Sequence, residues 1–215
     1  MEIVSHEKIE TRDNKLFTDL MIPFQQMVAQ VRNEFSSSLL SELSSKCHAI
    51  SRTCKGDGAG LLGGCIIDMF LTSFLCSRLS DCESFHNGES DLKINKYPLS
   101  LKKISGKSKI ALNWSKNKTK SDDSKWFQCD MMIINLKSEQ WWKKDKTDMI
   151  HAGIYFIPKE YCSDIILSSN NKTDTLISPD QLYTMLQFSN KHNYMIPIPD
   201  PDPSITFCIE NAFTK

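Results

Sequence analysis

In KLFTDLMIPFQQMVAQVRNEFSSSLLSELSSK, residues 15–46, apolar positions recur at mixed spacings of three and four, the pattern of a helix with one buried face. Two helices are expected there, interrupted near Pro23 and at Ser36 to Ser38, covering a sheet or forming a dimer face. The glycine cluster CKGDGAGLLGG opens a loop. CIIDMFLTSFLCSRL, which follows it, is apolar nearly all round, as a buried helix would be. After the polar turn DCESFHNGES the period shortens. DLKI, PLSLKKI and KIALNW read as strands of an antiparallel meander, with Asn95-Lys96 as a two-residue hairpin connection. A lysine-rich loop, SKNKTKSDDSK, precedes two further strands, WFQCDMMIINLK and AGIYFIP, the second bounded by glycine and proline. A helix over 179–190, capped by Ser178, and a proline-broken tail, IPIPDPDP, close the chain.

Helices and strands in this order make an α/β pattern. At 215 residues the chain can bury one sizeable core but hardly two. A single domain over 1–215 is therefore expected, with an N-terminal helical segment at 1–55, a core at 56–165, and a C-terminal helix and tail at 166–215.

Lysine plus arginine and aspartate plus glutamate balance at 26 each, so no global charge points to a polyanion and only a local patch could meet one. Such a patch exists between Lys93 and Lys125, where lysines far outnumber acids. The N-terminal residues lack the apolar stretch of a secretory signal, and no apolar run is long enough to span a bilayer. A cytoplasmic protein with no membrane partner is the expectation. Eight cysteines form no CxxC pair, which favours reduced thiols over zinc ligands or disulfides.

Candidate chemistry comes from strand parity. In PLSLKKI, Ser100 and Lys102 fall on one face and Leu99, Leu101 and Lys103 on the other. Asp91 opens the partner strand of the hairpin and can bring its carboxylate to the serine and lysine across the ladder. Asp68 is the single charged residue of the apolar run GGCIIDMFLTSF. A buried carboxylate there would need a cation, a metal or hydrogen-bond donors. Gly64, four residues earlier on the same face, allows close approach of another backbone or of DNA.

GGCIID (Gly63 to Asp68), SD (Ser90-Asp91) and SLK (Ser100 to Lys102), in that order, resemble the motifs of the PD-(D/E)xK nucleases of the type II restriction endonuclease kind. The similarity spans roughly residues 60 to 114. It departs from the pattern in two places: no proline precedes Asp91, and Ser100 stands where the family carries an acid. The resemblance implies a restriction-endonuclease-like mixed central sheet flanked by helices. It also implies magnesium-dependent hydrolysis of double-stranded DNA at a short, palindromic sequence by a homodimer. Asp91, Asp68, Ser100 and Lys102 would then be catalytic, with Asp91 and Asp68 holding the metal and Glu89 an alternative second carboxylate. Lys107, Lys109, Asn113, Lys116, Lys118, Gln140 and Lys143 are candidate DNA contacts, the lysines for phosphates and Gln140 for base edges. The tryptophans 114, 126, 141 and 142 are expected in core or rim positions rather than as base-stacking platforms. A non-catalytic nucleic-acid-binding module using the same basic region is the alternative, and a protein-interaction domain with a basic surface is a third.

Overall fold

The structure, a computed structural model, describes residues 21–53, 59–85, 90–105, 110–111, 129–143, 146–162 and 176–206. Three helices lead. The described part of helix α1 is 21–34; α2 is Ser37–Thr53 and α3 Ala59–Arg78. The break between α1 and α2 falls at the serine run, where Ser36 Oγ accepts the Leu39 amide at 3.2 Å and caps α2. No break occurs at Pro23, the third described residue of α1. Pro23 lies within the described helical residues, so its missing amide does not end the helix there.

A six-stranded sheet forms the centre, in the order β1-β2-β3-β5-β8-β10. These strands are β1 Cys82–Ser84, β2 Leu92–Ile94, β3 Tyr97–Ile104, β5 Asp130–Asn135, β8 Gly153–Ile157 and β10 Met195–Pro197. Strands β1 to β3 make the expected antiparallel meander. Asn95 and Lys96 join β2 to β3 with φ of 48° and 72°. Positive φ at both positions marks the turn whose twist matches a two-residue hairpin.

β3 and β5 run parallel, Leu99 opposite Asp130 through Ile104 opposite Asn135. All other pairs in the sheet are antiparallel, so the sheet is mixed. Because β5 occupies the flank of β3, the segment KIALNW does not extend the meander. Its described part, β4 Ile110–Ala111, pairs instead with β9 Leu176–Ile177 in a separate two-stranded sheet. A hairpin of β6 Glu139–Lys143 and β7 Lys146–Ile150 forms a third sheet.

β5 and β8 are buried at every position, as strands covered on both faces must be. On one face Leu99, Leu101, Met132, Ile134, Ile154 and Phe156 pack with Met27, Val31, Leu43, Ile50, Leu71 and Leu75 of α1 to α3. On the other, Ile104, Met131, Ile133, Tyr155 and Ile157 meet Leu182, Met185 and Leu186. Those three belong to α5 (Pro179–Lys191), and the described part of α4 is 159–162. The Ser178 cap of α5 is a full capping box: Ser178 Oγ accepts the Gln181 amide, and Gln181 returns its side-chain oxygen to the Ser178 amide. Such a cap stabilises a helix by about 1 kcal/mol. At Gly153, opposite Pro197, a Cβ would stand 3.0 Å from the Ile196 carbonyl oxygen, which explains the glycine opening AGIYFIP. A mixed central sheet with helices on both faces is thus the architecture, as expected from the sequence. No helix among the described residues is long and apolar enough to cross a membrane.

Candidate active site

The β2–β3 ladder stops at the pair Leu92–Leu99, while β3 continues to Ile104. Asp91 occupies the end of that ladder. Its amide donates to the Leu99 carbonyl (2.9 Å), and its own carbonyl accepts the Phe85 amide (3.1 Å). With the backbone held from both sides, the carboxylate takes the place of the missing strand neighbour: Asp91 Oδ2 accepts the Leu101 amide at 2.7 Å. The same oxygen lies 3.7 Å from Lys102 Nζ. These side chains are 37% and 23% exposed, so the pair is shielded from water on part of its surface. Its net worth to stability is nonetheless only about 1 kcal/mol.

Helix α3 passes the open end of the hairpin and closes a cavity of about 400 Å³ against it. Asp68, Thr72 and Cys76, one helical turn apart, line the wall with Met69 and Ser73; Ser84, Asp91, Leu101 and Lys102 complete it. The volume falls in the usual range of functional clefts. Partial desolvation there raises the Asp68 carboxyl above its ordinary range, and Asp91 adds to the rise while Lys102 and Lys103 oppose it. An acid, a second acid and an ammonium group therefore share one field.

Asp68 is not the buried carboxylate expected from the sequence. It lies on the exposed side of α3, beside Met69, which is 56% exposed, whereas Ile67, Phe70, Leu71, Phe74 and Leu75 face the core. α3 reads as apolar all round because its cavity face carries Met69 as well as polar residues. Nor does the carboxylate anchor the helix: the bond near it runs from Thr72 Oγ1 to the Asp68 backbone carbonyl (2.9 Å), an ordinary hydroxyl-to-backbone contact.

Ser100 is placed differently. It is 1% exposed, opposite Met131 in the β3–β5 ladder, and its Oγ has no hydrogen-bond partner among the described residues. Among the described residues the structure brings together Asp68, Asp91 and Lys102, and leaves the Ser100 hydroxyl buried outside the cavity lining. Glu89, Lys107, Lys109, Asn113, Lys116 and Lys118, with Trp114 and Trp126, lie outside the described residues. Gln140 is exposed on β6, and Lys143 ends that strand.

Sequence reasoning passed over Thr72, Cys76 and Ser84. The first two carry a signal, since they follow Asp68 at spacings of four and eight and so share its helix face. Ser84 carries none. It reaches the cavity because β1 pairs Ser84 with Leu92, next to Asp91.

Asp68 and Asp91 supply hard oxygen donors to one cavity, and Oδ1 of Asp91 makes no hydrogen bond among the described residues. No cluster of three or more histidine, cysteine, aspartate or glutamate side chains that could hold a metal occurs among those residues. That donor set fits magnesium, which is commonly held by one or two carboxylates and completes its shell with water and substrate phosphate. It does not fit a closed zinc site of nitrogen and sulfur.

No family model matches the chain, and none of the curated proteins does. Among solved structures it is similar to one described as a restriction endonuclease in complex with substrate DNA. The TM-score is 0.46 at 18% identity, over 95% of this chain and 94% of the other.

Proposed function

We propose that the chain is a magnesium-dependent endonuclease that hydrolyses phosphodiester bonds of double-stranded DNA at a short sequence, acting as a homodimer on a palindromic site. The observation that carries this proposal is the convergence of Asp68, Asp91 and Lys102 on one cavity, with Asp91 and Lys102 3.7 Å apart. The resemblance of GGCIID, SD and SLK to the PD-(D/E)xK motifs supports it, since each of those motifs carries one of the three converging residues, although the Ser100 hydroxyl stays outside the cavity lining.

Phosphodiester hydrolysis requires a water oxygen to attack phosphorus while the opposite P–O bond breaks, with negative charge growing on the phosphoryl oxygens. Asp91 and Asp68 would hold the divalent cation, which, when bound, polarises the phosphate and eases deprotonation of water. Lys102 performs the chain's own part. Its ammonium, positioned through Asp91, holds the attacking water and offsets the developing charge. Asp91 stays aligned because the Leu101 amide fixes the oxygen that faces the lysine.

The basic region from Lys93 to Lys125 supplies phosphate contacts through Lys107, Lys109, Lys116 and Lys118, and Gln140 and Lys143 add contacts from β6. Incubation with long mixed-sequence DNA and magnesium tests the proposal. Discrete fragments, lost on chelation, are expected. Retention of DNA without cleavage under any divalent metal, unaffected by replacing Asp91, would instead establish a non-catalytic binding module.

A further inference from the structure

Cys76 and Cys82 face each other across the junction of α3 and β1, their Sγ atoms 3.5 Å apart. Both are half-buried, and both are free thiols. Cys76 lines the cavity that holds Asp68, Asp91 and Lys102, two helical turns beyond Asp68. Cys82 opens β1, two residues before Ser84 of the same lining. The turn between them contains Asp81, with φ of 53°, whose carbonyl is pinned by the Asn95 amide at 3.0 Å. The two sulfurs are thus presented to each other by fixed backbone.

We propose that Cys76 and Cys82 form a peroxide-oxidisable dithiol whose disulfide closes the wall of the cavity and slows the chemistry performed there. The regulatory half rests on the function proposed above; the dithiol itself does not. The oxidant is hydrogen peroxide. Cys76, on the cavity wall, attacks one peroxide oxygen as the thiolate: an S–O bond forms, the O–O bond breaks, and the departing hydroxide takes a proton to leave as water. The Cys82 sulfur then displaces the oxygen from Cys76. An S–S bond forms, the S–O bond breaks, and a second water departs. Two thiols lose two electrons, which hydrogen peroxide accepts.

A disulfide has an S–S length of about 2.05 Å, so closure draws the two sulfurs together by roughly 1.5 Å and ties the end of α3 to β1. Ser84 and the Asp68 face of α3 are attached directly to the moving pieces. Burial raises both thiols above their ordinary range, while the Cys82 contact lowers Cys76, which makes Cys76 the better first nucleophile. The pair should therefore stay reduced without peroxide and oxidise faster as pH rises.

Peptide mapping of the intact protein after hydrogen peroxide treatment and thiol alkylation decides the matter. Trypsin cuts after Arg78, between the two cysteines, so only a disulfide keeps residues 56–78 joined to 79–93. A joined pair that reduction separates is expected, abolished by Cys76→Ser or Cys82→Ser and kept by Cys65→Ser, the control for the other cysteine in the first peptide. Full alkylation of Cys76 and Cys82 after peroxide, or a link running through Cys65, overturns the proposal. In parallel, peroxide should lower the magnesium-dependent cleavage rate at least tenfold, reversibly with dithiothreitol, and that loss should be absent from Cys76→Ser, which removes the first nucleophile. A joined pair with undiminished cleavage overturns the regulatory half. A joined pair in a protein that cuts no DNA refutes the endonuclease and leaves the dithiol standing.

Discussion

Asp91 and Lys102 meet through a single carboxylate oxygen, Oδ2, which also holds the Leu101 amide, so the lysine is aligned by an acid that the strand backbone itself fixes. The ammonium group has no packing duty to the core. Lys102→Ala should abolish cleavage, by about a hundredfold or more as for loss of a charge-stabilising donor, while shifting Tm by no more than about 4 °C. Lys103 is the control, since alternation puts it on the face of Leu99 and Leu101. Single-turnover rates and melting curves should show Lys103→Ala cutting far better than Lys102→Ala. Equal losses would mean that the strand parity does not assign the chemistry.

Asp91→Asn keeps an oxygen for the Leu101 amide but removes a charge. It should cost about 1 kcal/mol in stability and keep or tighten DNA binding without metal, because a carboxylate near phosphate repels it. Cleavage should be lost. Calcium, bound by the same oxygen donors, should support DNA binding by the unmodified protein without cutting. Filter binding and gel cleavage on one preparation check all three outcomes; cutting by the variant at a near-parent rate would remove Asp91 from the metal.

For Asp68→Asn the cavity geometry implies little change in Tm, or a small rise, since the carboxylate holds no helix bond and is raised by desolvation and by Asp91. Cleavage should fall by a large factor. A destabilised variant whose folded fraction cuts normally would show a structural role instead.

Asp130 gives a test independent of function. It is 9% exposed and accepts the Lys159 amide at 2.9 Å, and burial pushes its carboxyl up to about 6, with Glu160 adding to the rise and Lys159 opposing it. A raised carboxyl holds its proton more tightly in the folded state. Its contribution is therefore fully present below the ordinary carboxylate range and is lost as pH climbs to about 6. At about 1.4 kcal/mol per unit, the rise from 3.8 to about 6 corresponds to roughly 3 kcal/mol at neutral pH. Asp130→Asn should flatten this dependence, and urea unfolding should show the variant gaining on the parent between pH 4 and pH 7.

Lys96 occupies the second positive-φ position of the β2–β3 turn, at 72°. Glycine adopts that conformation without a Cβ clash. Lys96→Gly should stabilise the protein by about 1 kcal/mol, raising the urea midpoint with an unchanged slope; a lower midpoint would mean that the lysine side chain contributes more than the turn strain costs.

Much of the site was legible because it is local. A two-residue turn fixes the register of β2 on β3, so the placement of Asp91 beside the continuation of β3 follows from the distance of each residue from Asn95 and Lys96. The α5 cap was legible for the same reason, since Ser178 and Gln181 are three residues apart. Apolar periodicity also sufficed for an α/β core with a helical lead. What the sequence could not specify depends on segments far apart in the chain. The parallel pairing of β5 with β3 crosses 25 residues from Ile104 to Asp130, and no local pattern encodes it; with it went the fate of KIALNW and the burial of Ser100 against the α5 layer. The exposure of Asp68 was likewise decided by where α3 lies on the open end of the hairpin. An apolar residue facing a cavity and one facing the core look alike in sequence, because hydrophobicity is a property of the side chain, and burial depends on what the rest of the chain packs against it.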